Sequence, residues 1–206
     1  MNDPKARLFV IAAPSGAGKT TLVQAVTRNN PDLRFSISYT TRPQRRNEAD
    51  GRDYKFVNKE TFERLREQGE MLESATVFDN LYGTSREQVE AHLEAGHSVI
   101  LEIDWQGARQ VRAAMPESVT IFILPPSHDE LVRRLRERRT DSDAVIARRL
   151  RDAVSDMSHW DEFDYIIIND DLDQAVADLE AVLHGDGAAF ATSNEALRSA
   201  VADIIA

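Results

Sequence analysis

The chain contains no cysteine among its 206 residues and no long apolar run. The absence of cysteine excludes a disulfide framework, a thiolate metal site and a cysteine nucleophile, and with them a redox role. Near the start of the chain only the six residues from Leu8 to Ala13 form a continuous apolar run, too few for a signal peptide or a membrane span. We therefore expect a soluble, cytoplasmic protein with no membrane partner, folded as one compact domain.

Positive charge is also scarce, since the formal net charge is −10. Binding along a nucleic acid needs a surplus of positive charge, so we expect no nucleic-acid partner. The chain has only four lysines but 21 arginines, and eight of the arginines lie between Arg133 and Arg151. Arginine makes bidentate contacts to phosphate, so this cluster favours local binding of an anionic ligand. A solvated helix face is the alternative.

The pattern of apolar residues predicts an α/β fold. A short continuous apolar run typical of a buried strand occurs at Leu8–Ala13, and similar, mostly apolar runs recur at Ser98–Ile103, Val119–Leu124 and Tyr165–Ile168. Helical stretches separate them, as in a parallel, doubly wound sheet. Capping spacings that begin at Ser85, Ser127 and Thr192 place helices near residues 86–95, 128–139 and 193–205. Short β-prone pieces are predicted at Phe35–Tyr39 and Tyr54–Val57. The apolar stripe of the last helix packs either on the body of the protein or on another subunit, which leaves a homo-oligomer open.

A phosphate-binding loop is predicted between the first strand and the first helix. The segment from Ala13 to Thr20 matches the pattern G-x-x-x-x-G-K-S/T except that Ala13 replaces the first glycine. In this setting backbone N–H groups surround a phosphate, Lys19 contacts the β and γ oxygens, and Thr20 holds Mg²⁺, while Gly16 and Gly18 supply the unusual backbone angles. A glycine-rich turn with a surface lysine is the alternative. The predicted ATP-binding loop comprises Ser15, Gly16, Ala17, Gly18, Lys19, Thr20 and Thr21.

Several motifs, taken in order, make the chain resemble the guanylate kinase family from Leu8 to about Leu183. These motifs are residues 13–20, 38–42, 50–57, 80–84, 103–108, 123–127 and 168–171. The resemblance implies transfer of a phosphoryl group from ATP to GMP, with Mg²⁺, giving ADP and GDP in purine nucleotide metabolism and GMP recycling. It also implies one P-loop kinase domain, with a core at about 5–34, 84–125 and 153–184, a GMP-binding lobe at 35–83, an arginine-rich lid at 126–152 and a C-terminal helix at 192–206.

The resemblance also implies the residues that bind GMP. The implied set is Ser38, Arg42, Arg45, Glu48, Tyr54, Glu73, Tyr82, Gly83, Thr84 and Asp104. In this set the arginines and tyrosines bind the phosphate, Glu48 holds the arginines, and Asp104 orients GMP or a magnesium-bound water. Ser38, Glu73 and Thr84 recognise guanine. The chemistry agrees, because guanine offers two N–H donors to a carboxylate where adenine presents a ring acceptor.

By the same resemblance, arginines of the lid close over ATP. These are Arg134, Arg138 and Arg149, with Asn169 near the adenine. The spacing of Arg134 and Arg138 places them on one helix face. Phosphoryl transfer depends on positioning and charge neutralisation, so we expect no general base. The predicted catalytic residues are Lys19, Arg42, Arg138 and Arg149.

Two other functions are possible for a chain with these motifs. Guanylate-kinase-like interaction modules keep the fold but typically degrade the phosphate loop, whereas this chain retains Lys19, Thr20 and the lid arginines. A kinase for AMP or dTMP is the second alternative, and Ser38 with Glu73 argues against it. Glu102 stands where the family usually has aspartate, so it is either a displaced site carboxylate or a buried structural one.

Overall fold

The computed structural model describes residues 6–77, 79–137 and 143–205. Strands and helices alternate through most of the chain, as the sequence predicts. The elements in chain order are β1 (Leu8–Ala12), α1 (Lys19–Asn29), β2 (Arg34–Phe35), β3 (Tyr39–Thr40), β4 (Lys55–Phe56), α2 (Lys59–Glu67), β5 (Met71–Val77), β6 (Asn80–Ser85), α3 (Arg86–Glu94), β7 (Val99–Glu102), α4 (Trp105–Ala114), β8 (Val119–Leu124), α5 (His128–Glu137), α6 (Asp143–Met157), β9 (Tyr165–Ile168), α7 (Leu172–His184) and α8 (Glu195–Ile205). Within the described residues, no helix is long and apolar enough to cross a membrane.

The chain separates into two compact units. The first runs as far as Val10 and then from Pro31 to Val119, and the second comprises Ile11–Asn30 and the chain from Thr120 onward. Strand β1 contributes residues to both units and is the middle strand of a five-stranded sheet with the order β2-β7-β1-β8-β9. The predicted α/β fold with a parallel central sheet is confirmed.

The first unit contains a second sheet, with the order β4-β3-β6-β5, in which β5 and β6 form an antiparallel hairpin. The predicted β-prone piece Phe35–Tyr39 is wrong as a single strand, because the chain changes sheets within it. Ser36 donates its backbone N–H to Ile100 in one sheet, while Ser38 accepts from Lys55 in the other. A short loop between β2 and β3 therefore leads the chain from one sheet to the other.

Helix α2 also lies in the first unit and was not predicted. Its N-cap Asn58 accepts a hydrogen bond from the backbone of Thr61. The helix buries Phe62 and Leu65 against Met71 at the start of β5. This small apolar cluster supports the hairpin from one side.

The second unit is built around β8 and β9, which pair in parallel with Ile121 opposite Tyr165 and Leu124 opposite Ile168. Both strands have the predicted limits. Their central residues have no exposed surface, as expected for strands buried on both faces.

The helix starts confirm two of the three predicted caps. Ser85 and Ser127 accept hydrogen bonds from the third residue of their helices. The cap predicted at Thr192 is wrong, because Asn194 accepts from Ala196 and so begins α8 two residues later. Asparagine is a strong N-cap residue, and this one lies closer to the helix.

Helix α8 packs on the second unit. Val201 is completely buried, and the Arg198 guanidinium carbon lies 4.8 Å from the ring centre of Trp160. The predicted apolar stripe of this helix therefore contacts the body of the chain through Val201.

Candidate active site

The phosphate-binding loop connects β1 to α1 in the second unit. Gly16 and Gly18 have φ values of 97° and 88°, which confirms that these two glycines supply the unusual backbone angles. Among the described residues, Asp79 is the only one other than glycine with positive φ. Ala13 therefore adopts a backbone conformation that alanine tolerates, and its departure from the motif introduces no backbone strain.

Helix α5 packs directly on this loop. A Cβ atom added to Gly16 would lie 2.8 Å from Leu131 Cδ1 and 2.9 Å from Leu135 Cγ. Both leucines are buried, so they have little room to move away. The close packing therefore requires glycine at position 16.

Asn169 and Arg134 lie far from the loop in the sequence but form hydrogen bonds with it. The Asn169 side chain is buried and donates to the Ala17 carbonyl oxygen at 2.7 Å. Arg134 donates to the same oxygen at 3.4 Å and to the Asn169 backbone oxygen at 3.0 Å. The structure thus places these two predicted ATP-binding residues together beside the loop.

The N-terminus of α1 is suited to an anion. Its N-cap is Gly18, no side chain caps it, and its first turn contains no acidic residue. The first backbone N–H groups of a helix lack partners within the helix and carry partial positive charge. Lys19 and Thr20 are the first two helical residues, so their side chains begin where a phosphate is most favoured.

The arginine-rich segment contains exposed arginines as well as Arg134, which contacts the loop. Arg133 and Arg134 both donate to Glu130 at 2.6 Å, and these hydrogen bonds lower the pKa of Glu130 to about 2. Arg133 is largely exposed, as is Arg148, which pairs with Asp152, so this part is a solvated helix face. Arg134 instead turns toward the loop.

The other two predicted lid arginines have different outcomes. Arg149 lies on α6 and is half-buried. Arg138 lies outside the described residues. Of the described lid arginines, Arg134 donates hydrogen bonds to the loop and to Asn169.

In the first unit, the residues predicted to bind the GMP phosphate lie together. The Arg42 guanidinium pairs with Glu48 at 2.7 Å, and its central carbon lies 5.4 Å from the ring centre of Tyr54. The rings of Tyr54 and Tyr82 meet edge to face at 5.9 Å. Hydrogen bonding from Arg42 lowers the pKa of Glu48, which therefore stays ionised at neutral pH. The Arg42 guanidinium, held by Glu48, thus lies in one cluster with the phenol rings of Tyr54 and Tyr82.

Arg45 differs from Arg42. Its guanidinium is exposed and lies 3.9 Å from Glu48, whereas its backbone N–H donates to Glu48 at 2.8 Å. Glu48 thus orients the guanidinium of Arg42 and fixes the backbone of Arg45.

Tyr54 remains a proton donor over the physiological pH range. Burial, followed by the negative charge of Glu102, raises the pKa of Tyr54 to about 12. A protonated phenol can donate a hydrogen bond to a phosphate oxygen. Glu102 therefore acts electrostatically on the cluster of Arg42, Tyr54 and Tyr82 through Tyr54, an effect that the sequence pattern did not predict.

The residues predicted to recognise guanine are buried in the same unit. Ser38, Glu73 and Thr84 are 9%, 3% and 0% exposed. Glu73 lies opposite Thr84 in the β5–β6 hairpin, and the Thr84 hydroxyl donates to Glu73 Oε1 at 2.7 Å. The neighbouring Gly83 faces the apolar cluster, where an added Cβ would lie 3.0 Å from Phe62. The hairpin thus presents a carboxylate already held on one oxygen.

Asp104 follows the carboxyl end of β7 and caps α4. Its Oδ1 accepts from the Gly107 backbone N–H at 2.8 Å, and its Oδ2 accepts from Gln106 at 3.1 Å. Gly107 was not predicted to belong to the site, yet it directly contacts Glu73. A glycine inside a helical pattern was the available signal, since it often marks a close approach.

A family model described as guanylate kinase matches residues 5–186. The chain is also 52% identical over 186 residues to a guanylate kinase of Pseudomonas fluorescens, with 90% of each chain covered. The chain belongs to the guanylate kinase family. A guanylate kinase from a Shewanella species is 49% identical over 203 residues, with 98% of each chain covered.

A solved structure supports membership in the guanylate kinase family. The crystal structure of guanylate kinase from Anaplasma phagocytophilum matches with a TM-score of 0.71 and 33% identity, covering 95% of this chain and 93% of that one. The resemblance predicted from the motifs is confirmed.

Proposed function

We propose that this chain transfers the terminal phosphoryl group of ATP to GMP, giving ADP and GDP in purine nucleotide metabolism and GMP recycling. The observation that carries the proposal is the buried carboxylate of Glu73, held by Thr84, in a chain of the guanylate kinase family. Such a carboxylate accepts both N–H groups of guanine but is repelled by the ring acceptor of adenine. A buried polar site rejects the wrong base strongly, because its groups are left without partners.

The acceptor nucleotide is proposed to bind entirely to the first unit. We propose that its phosphate is bound by Arg42 and the phenol groups of Tyr54 and Tyr82. Its base is bound by the Glu73 carboxylate and the hydroxyls of Ser38 and Thr84. The proposed GMP set is Ser38, Arg42, Arg45, Glu48, Tyr54, Glu73, Tyr82, Gly83, Thr84 and Asp104.

The donor nucleotide is proposed to bind to the second unit. The loop and the first turn of α1 surround its phosphates, and Lys19 neutralises charge on the β and γ oxygens. Arg134 and Asn169 fix the loop, and residues 126–152 act as a lid that brings Arg138 and Arg149 to the transferred group. The proposed donor set is Ser15, Gly16, Ala17, Gly18, Lys19, Thr20, Thr21, Arg134, Arg138 and Asn169.

We infer that Mg²⁺ accompanies ATP. The hydroxyl of Thr20, in the first turn of an uncapped helix, is an oxygen ligand of the hard type that Mg²⁺ prefers. Among the described residues, no group of three or more His, Cys, Asp or Glu side chains could hold a metal. Thr20 and the nucleotide phosphates are thus the proposed ligands, an arrangement Mg²⁺ often has in kinases. The ion neutralises charge on the phosphates when bound.

The protein provides little covalent chemistry in this reaction. In-line transfer needs the two nucleotides to be positioned and the moving group's charge to be neutralised. Lys19 and the lid arginines supply that charge, and exclusion of water protects the phosphoryl group from hydrolysis. We propose that this takes place in the cytoplasm, the reducing compartment to which a cysteine-free chain is suited.

The direct test compares phosphoryl acceptors. ADP release from ATP and Mg²⁺ is measured with GMP, AMP and dTMP at equal concentrations, and we expect rapid release with GMP only. Equal rates with all three nucleotides contradict the assignment of the acceptor. Tight GMP binding without ADP release points instead to an interaction module.

Replacing Glu48 by glutamine is expected to raise the KM for GMP about tenfold and to leave the KM for ATP unchanged. The variant loses the charged hydrogen bond that orients Arg42, a change of about 1.5 kcal/mol, which corresponds to a factor of about ten. Steady-state kinetics with GMP varied at saturating ATP measure it. Glu90→Gln is the matched control, because Glu90 pairs with Arg86 on an exposed helix face. An unchanged KM for GMP in Glu48→Gln speaks against the proposed role of Arg42.

A further inference from the structure

Gly107 is a buried residue inside helix α4. It does not have the positive φ that would require glycine. Glycine in a helix interior destabilises the helix relative to alanine. The lack of space around Gly107, rather than its backbone conformation, therefore accounts for glycine at this position.

The space beside Gly107 is occupied by the Glu73 carboxylate. A Cβ atom added at residue 107 would lie 3.2 Å from Glu73 Cδ and only 2.6 Å from its Oε2, the latter closer than such atoms approach in proteins. The other carboxylate oxygen, Oε1, accepts from Thr84 at 2.7 Å. The carboxylate thus lies between the hairpin and the bare backbone of α4, with Oε1 held by Thr84 and Oε2 beside Gly107.

Gln110 attaches the same helix to the adjacent residue of the hairpin. Its side-chain amide accepts from the Ser74 backbone N–H at 3.0 Å and donates to the Ser74 carbonyl at 2.8 Å. Strand β5 is at the edge of its sheet, so the amide supplies hydrogen bonds that a neighbouring strand would otherwise make. Gln110 follows Gly107 by three residues and shares its helix face. Helix α4 therefore contacts Glu73 and fixes the backbone next to it.

We propose that α4 sets the position of the Glu73 carboxylate through Gly107 and Gln110, which makes both of them positioning residues for recognition of the acceptor base. Asp104 caps the start of the same helix, because its Oδ1 accepts from the Gly107 backbone N–H at 2.8 Å. The inference rests on the proposed function, in which Glu73 binds guanine.

The first test is Gly107→Ala, with dissociation constants for GMP and inosine monophosphate measured by titration calorimetry. Inosine monophosphate lacks the 2-amino group, so it presents one N–H donor where guanine presents two. A displaced carboxylate loses more with the two-donor base. We expect GMP binding to weaken by about 10²-fold, binding of inosine monophosphate to weaken less, and ATP binding to remain unchanged.

A double-mutant cycle separates positioning from a general structural effect. In a Glu73→Ala background, Gly107→Ala should no longer change the preference for GMP over inosine monophosphate, because the carboxylate on which it acts is absent. The same loss of GMP affinity in both backgrounds overturns the proposal. So does an unchanged GMP affinity in the single Gly107→Ala variant.

Gln110→Ala provides an independent variant that introduces no steric clash. It removes the two hydrogen bonds to Ser74 and a longer one, at 3.4 Å, to the Gln106 carbonyl within the same helix. We expect GMP binding to weaken about three- to tenfold and ATP binding to remain unchanged. Gln174→Ala is the matched control, because Gln174 bonds to Asp178 on an exposed face of α7. Equal GMP affinities in the Gln110 and Gln174 variants contradict the role of Gln110.

The two levels of inference can fail separately. If Glu73→Ala alone leaves the preference for GMP over inosine monophosphate unchanged, the proposed recognition of guanine is wrong, and this inference falls with it. If Glu73→Ala abolishes the preference while Gly107→Ala and Gln110→Ala do not alter it, only the role of α4 is wrong.

Discussion

Replacing Lys19 by alanine will lower kcat by about 10²- to 10³-fold, with a smaller effect on ATP binding. Lys19 is the first residue of α1, and its charge is proposed to follow the phosphoryl group as negative charge shifts in the transition state. Loss of a single preorganised group at such a point costs roughly this factor in other enzymes. Single-turnover and steady-state measurements of GDP formation separate the effect on chemistry from that on binding.

Lys59 provides a matched control for Lys19. Each lysine is the first residue of a helix, but Asn58 caps α2 with its side chain, whereas Gly18 leaves α1 without one. Lys59→Ala should therefore retain full activity. A Lys19→Ala variant with more than about a tenth of normal kcat contradicts the assignment of the loop.

The second large effect is expected for Glu73→Ala, which should lower kcat/KM for GMP by about 10²- to 10⁴-fold. Two hydrogen bonds from guanine to a charged acceptor, at about 1.5–3 kcal/mol each, account for this range. The preference for GMP over AMP should fall as well, because the carboxylate no longer repels the adenine ring acceptor. Kinetics with both nucleotides at saturating ATP measure the two changes.

Truncation of a buried residue can also disturb the hairpin, so a second substitution is needed. Glu73→Gln keeps the side-chain volume and an acceptor for the Thr84 hydroxyl but loses the charge. It should retain the melting temperature of the parent chain and still bind GMP poorly. Normal GMP kinetics in Glu73→Gln show that the carboxylate does not recognise the base.

The buried strands could be predicted from the sequence because their signal is local. The run Tyr165–Ile168 is continuously apolar, Val119–Leu124 is apolar except for Thr120, and the structure gives both the same limits. Helix α2 was missed because it buries only Phe62 and Leu65 in an otherwise charged segment. The change of sheets after Phe35 depends on hydrogen bonds to distant strands, which no local pattern contains.

The candidate site likewise has one part that a local motif predicts and another part that only the fold brings together. The loop from Ala13 to Thr20 is contiguous, so a motif predicts it together with its two unusual glycines. The contact between Glu73 and Gly107 joins residues that are far apart in the chain, and it follows only from the packing of α4 on β5. Glu102 acts on Tyr54 in a similarly non-local way.

The hydrogen bond from Asn169 to Ala17 spans 152 residues of sequence. A ribosome adds about 5–20 residues per second, so the loop is made roughly 8–30 s before the side chain that holds it. For most of that interval the glycines of the loop have neither Asn169 nor the leucines of α5 to restrain them. The growing chain therefore carries the whole phosphate-binding motif well before it can hold that motif in its final shape, and competence to bind the donor is acquired late in synthesis.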